Sequence, residues 1–97
     1  MYPIPISFKT SDYKAVTSSS TQFDTTMVKG VQYVLRASVD LWFRCDGANP
    51  TAAADTDQNH FLKAGQTALC AGGGFKVAVI RDSVDGDAVL SEVGPQT

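Results

Sequence analysis

The segment VQYVLRASVDLWFRC, residues 31–45, sorts by parity. Its odd positions, Val31, Tyr33, Leu35, Ala37, Val39, Leu41, Phe43 and Cys45, are all apolar. Its even positions are Gln32, Val34, Arg36, Ser38, Asp40, Trp42 and Arg44, polar apart from Val34 and Trp42. Successive side chains of a strand point to opposite faces, so this alternation predicts extended chain with a dry side and a wet side. A helix would instead place Arg36, Ser38 and Asp40 among the apolar residues. Fifteen extended residues reach about 50 Å at ~3.3 Å each, whereas a domain of this length is roughly 35 Å across. Either the strand bends near the small pair Ala37 and Ser38 and passes from one sheet to another, or one end leaves the body to meet a neighbour.

Shorter stretches repeat the two-residue period. Ile4, Ile6 and Phe8 alternate with polar residues or proline, Phe23, Thr25 and Met27 do so again, and Phe75, Val77 and Val79 form a third set. Residues 88–93 make a last strand, and Asp85 and Gly86, types that accept positive φ, predict a closing hairpin over residues 75–93. The fold class expected is all-β: a small antiparallel β-sandwich of about seven or eight strands, immunoglobulin-like or jelly-roll in type. Residues 1–12 read as an extended N-terminal arm or edge strand, because Pro3 and Pro5 cannot donate ladder hydrogen bonds. Residues 13–97 then form the sandwich domain. Residues 46–59, DGANPTAAADTDQN, have no periodicity, and a loop this long in a small domain is usually functional or mobile.

Composition narrows the function classes. With 97 residues, 43% of them hydrophobic and 19% charged, the chain suits one domain with a core. Eight basic residues against ten acidic ones give a net charge of −2, and no run of Lys or Arg appears. The electrostatic footprint of nucleic-acid binding is therefore missing, and a membrane surface is disfavoured for the same reason. The opening MYPIPISFKT lacks the basic start and apolar core of a secretory signal, and no apolar run approaches the ~20 residues that span a bilayer. A soluble chain made in the cytoplasm is expected. That compartment favours free, buried thiols for Cys45 and Cys70, and a disulfide would require the strands that carry them to lie side by side or face to face.

Candidate chemistry is sparse. Asp46, Asp55 and Asp57 share one loop, but their spacing matches no calcium-loop pattern. Asp82, Asp85 and Asp87 fit turns, where Asp hydrogen-bonds its own backbone. Gly72, Gly73 and Gly74 run into a strand, whereas a phosphate cradle opens a helix. His60 is the lone histidine, no nucleophile motif accompanies it, and ten scattered carboxylates select no acid/base pair. No enzyme, cofactor or metal is expected. The contact candidates are Trp42 and Val34, apolar residues on the wet phase of the long strand, and Ile4, Ile6 and Phe8 of the arm.

The run VQYVLRASVDLWFRCDGANPTAAADTDQNHFLKAG followed by KVAVIRDSVDGDAVLSEV, within residues 30–93, resembles small virion proteins of tailed bacteriophages. The likeness lies in a long strand, a GANPTA loop, an LKAG turn and a VAVI strand ending in an acidic Gly turn. It implies a compact β-sandwich, often a homotrimer, attached to the outer surface of the capsid as a decoration or cement protein, with the major capsid protein as partner. Relatives of this layout also sit in head fibres and tails, which leaves a receptor- or glycan-binding module as the alternative, with residues 46–59 as its recognition loop. The resemblance carries no catalytic residues with it.

Overall fold

The computed structural model describes residues 6–54 and 59–95, and the side chains of residues 12–54 and 59–93. Eight strands follow one another without an intervening helix among these residues: β1 (Ile6–Val16), β2 (Thr21–Gln22), β3 (Gln32–Ala37), β4 (Leu41–Arg44), β5 (His60–Leu62), β6 (Thr67–Cys70), β7 (Ala78–Arg81) and β8 (Gly86–Pro95). They form two four-stranded sheets, ordered β1-β8-β3-β6 and β2-β7-β4-β5. Every pairing is antiparallel, and the pairs are nested: first with last, second with seventh, third with sixth, fourth with fifth. The folded ribbon then closes through β3 against β8 and β4 against β7. Of the two sandwich types expected, this wrapping is the jelly roll.

The fifteen-residue alternation is two strands. β3 belongs to one sheet and β4 to the other, so the chain changes sheets at residues 38–40, where bending was expected. An unbroken strand of ~50 Å would exceed the molecule's longest extent of 40 Å. Side chains and backbone fasten the crossing on both sides. Ser38 donates its N–H to the Asp87 carbonyl at 2.9 Å, and its hydroxyl accepts the Asp87 N–H at 3.0 Å. The Asp40 carboxylate accepts the Ala64 N–H at 2.8 Å, and its carbonyl accepts the Asp82 N–H at 3.1 Å.

The alternation does put its odd positions inside. Tyr33, Leu35, Leu41 and Phe43 are buried together with Val16, Phe23, Met27, Leu62, Val77, Val79 and Leu90. Each aliphatic side chain fully buried in this way contributes about 1.5–3 kcal/mol of transfer free energy. Among the described residues Tyr33 is the one large core side chain with a polar end, and its hydroxyl is met by the Val28 N–H at 2.9 Å. Phe23 and Met27 lie inside as their spacing predicts, yet only Thr21 and Gln22 form a regular strand there. Phe23 and Met27 still donate to the carbonyls of Val77 and Phe75.

One expectation is corrected. β7 and β8 do not form a hairpin: they lie in different sheets, and residues 82–85 carry the chain across the sandwich. Gly86 is not among the glycines with positive φ. A Cβ on Gly86 would lie 2.6 Å from both methyl groups of Val39 and 2.8 Å from the Ser38 hydroxyl. Glycine is there because the start of β8 presses against the other crossing. At the N-terminal end, β1 runs without interruption through residues 12 and 13, so the strand spans the expected division between arm and domain. It pairs with β8 from Ile6 opposite Pro95 to Val16 opposite Gly86, with a bulge between Phe8 and Thr10.

Candidate interaction surfaces

The sheet β1-β8-β3-β6 turns its Ala88, Leu90, Tyr33, Leu35 and Cys70 inward, so the alternate residues form its outer face. Strand register arranges these in rows. Val34 stands between Ser91 on β8 and Leu69 on β6, and Val89 stands between Tyr13 on β1 and Arg36 on β3. Leu69 is 70% exposed and Tyr13 63%, while Val34 and Val89 are half-buried between their neighbours. At one end of this face an open depression of about 400 Å³ lies among Tyr13, Arg36, Ser38, Gly65, Asp87 and Val89. A hydrogen bond to the Asp87 carboxylate holds the Tyr13 phenol above its usual pKa range, because ionising the phenol would break that bond beside a negative charge.

On the other sheet, Trp42 of β4 sits between Ile80 of β7 and Phe61 of β5. Its ring meets Phe61 edge-on, with centroids 5.1 Å apart and planes at 62°. The indole N–H donates to the Asp82 carboxylate at 3.0 Å. Trp42 is half-buried and Phe61 47% exposed, so the pair forms a partly open aromatic patch. Beside it, the loop after β4 closes over the sheet. The Gly47 carbonyl accepts the Lys76 N–H at 3.0 Å, the Pro50 carbonyl accepts Gln22 Nε2 at 3.1 Å, and the Ala52 N–H donates to the Ser20 hydroxyl at 2.9 Å. Pro50, Ala52 and Asn59 are buried, and so is Ala78 on the outer side of β7. Residues 46–54 are therefore a packed cover.

The sequence candidates do not converge on one surface. Val34 and Trp42 share a phase in the sequence, but the crossing at residues 38–40 sends them to opposite outer faces. Ile6 and Phe8 take register positions opposite Pro95 and Val93 on β8, so Phe8 is aligned near the Val34 row. Ile4 lies outside the described residues. Tyr13, Phe61 and Leu69 on the strands, and Val28 and Val84 in connections, are exposed apolar groups without a signal of their own in the sequence. Phe61 carried one signal, since a strand pairing with β4 places it opposite Trp42.

Three cations are engaged locally. Arg44 pairs with Asp46, which raises the guanidinium and lowers the carboxyl, while Arg81 pairs with Asp85 at 2.7 Å and Lys14 with Asp24 at 2.9 Å. The His60 ring rests against Phe43, centroids 5.5 Å apart. Asp55 and Asp57 lie outside the described residues. Among the described residues no three His, Cys, Asp or Glu side chains gather as a metal site. Gly72–Gly74 form a turn, closed by the Phe75 N–H to the Gly72 carbonyl at 3.2 Å. Cys45 and Cys70 are free, Cys70 buried and Cys45 half-buried, and each moves the other's thiol, Cys45 down to about 7 and Cys70 up. No family model matches this chain, and neither does any curated protein or solved structure.

Proposed function

We propose that this chain is a structural virion protein, a capsid decoration or cement protein that binds the outer shell through its sheet faces. The observation that carries the reading is the large apolar side chains on both outer faces: Leu69 and Tyr13 on one, the Trp42–Phe61 pair on the other. Such patches mark protein contacts, and Trp and Tyr are enriched where those contacts carry most energy. Jelly rolls recur in viral capsid proteins and in lectins, although a fold alone carries no function. The phrasing shared with phage virion proteins supports the first of these. A patch of this size gives weak attachment per subunit, and linkage in a trimer strengthens it through effective concentration.

The test is a mass measurement in solution followed by co-sedimentation with empty capsids of the phage that encodes the chain. Sedimentation with the shells, and a higher temperature of shell rupture, are expected. A chain that stays monomeric and remains in the supernatant would falsify the reading. A receptor- or glycan-binding role is favoured by one observation: Tyr13, Arg36 and Asp87 border the depression, an aromatic platform beside hydrogen-bonding charges. A sugar titration that perturbs Tyr13, with no capsid binding, would select that alternative. The arm's own contribution is tested by removing residues 2–5, since Ile6, Ser7 and Phe8 are paired in the sheet.

A further inference from the structure

Cys45 follows β4 in one sheet and Cys70 ends β6 in the other, so the two thiols come from the two layers of the sandwich and share its core. Cys70 is 2% exposed within the core, and Cys45 packs against the core while keeping part of its surface in solvent. We propose that Cys45 and Cys70 are an oxidisable dithiol that closes into an inter-sheet disulfide by exchange with a low-molecular-weight disulfide such as oxidised glutathione. With both side chains in one core, closing the bridge requires the two sulfurs to reach a bond length of about 2.05 Å. The inference is independent of what the outer faces bind.

The two thiols have different parts. Cys45 is the one a solute can reach, and the hydrogen bond from Cys70 lowers its pKa to about 7, against the opposing effects of burial and of Asp46. The same contact, then burial, pushes Cys70 up. The Cys45 thiolate therefore attacks one sulfur of oxidised glutathione, the S–S bond breaks, and one glutathione leaves as thiolate and takes a proton from water. Cys70 then loses its proton to water, attacks Cys45 Sγ in the mixed disulfide, and expels the second glutathione. Two protein thiols are oxidised and one external disulfide is reduced to two thiols. The bridge encloses residues 46–69, which include the packed cover and β5. In the unfolded chain it removes the freedom of that loop, the usual origin of disulfide stabilisation.

The reduced full-length chain is incubated with excess oxidised glutathione, quenched with acid, and read by intact mass, peptide mapping and thermal unfolding. The expected product is a monomer lacking two hydrogens, with Cys45 linked to Cys70 and an unfolding midpoint about 10 °C higher. Cys70→Ser should stop at a single glutathione adduct on Cys45, and Cys45→Ser should remain unmodified. Cys70→Ala replaces Cys70→Ser if the latter does not fold, and the wild-type mass decides in either case. Two glutathione adducts per chain, a disulfide between chains, or two unmodified thiols would each overturn the proposal.

Discussion

On one outer face, residues 46–54 bond to Ser20, Gln22 and Lys76, and Ala78 beside them is 0% exposed; on the other, Tyr13 and Leu69 remain mostly in solvent. Both faces carry apolar residues at alternate positions, so strand pattern does not separate them. What separates them is a long connection that returns over its own sheet and meets Gln22, Ser20 and Lys76 with backbone groups. The covered face is part of the folding unit. The bare face, centred on Val34, Val89 and Leu69, presents apolar area that contributes to stability only when something else lies on it.

Substitution at matched outer positions sharpens this difference. Ala78→Asp places a carboxylate under the cover without a partner and should cost roughly 3 kcal/mol or more, seen as a lower denaturant midpoint. An effect below about 0.5 kcal/mol would mean that the cover lifts freely. Trp42→Ala removes the edge-on contact with Phe61 and the bond to Asp82, and about 1–2 kcal/mol should be lost. Gln22→Ala removes the side-chain bond to Pro50 and should cost about 1 kcal/mol. It should also speed amide exchange at Ala52, which reports on the cover directly. Smallest in stability is Leu69→Lys on the bare face, within about 0.5 kcal/mol of the parent. That same substitution should abolish capsid sedimentation or self-association; full retention of both would show that the bare face touches nothing.

Much of the architecture is legible in residues 31–45, because parity reports burial and length against domain size forces a change of sheet near Ala37 and Ser38. The second crossing is hidden from the sequence for a physical reason. Asp85 and Gly86 have the composition of a tight turn, yet what Gly86 provides is the absence of a Cβ beside Val39 and Ser38, residues almost fifty positions away. No local pattern contains such a contact. The cover was visible as an aperiodic segment, but its packing rests on backbone carbonyls and N–H groups, which every sequence has. Val34 and Trp42 were grouped by phase, and phase loses its meaning once the strand crosses the core. Tyr13 and Leu69 are ordinary apolar members of their strands, and their exposure follows from which segments fail to cross above them.

Because β1 and β8 are partners, the first and last strands of the described fold lie side by side, with Ile6 opposite Pro95. That pair can zip only after the six strands between β1 and β8 have been made, so its closure is a late and slow event of folding. A covalent link made between Ile6 and Pro95 should therefore leave the sheets in place.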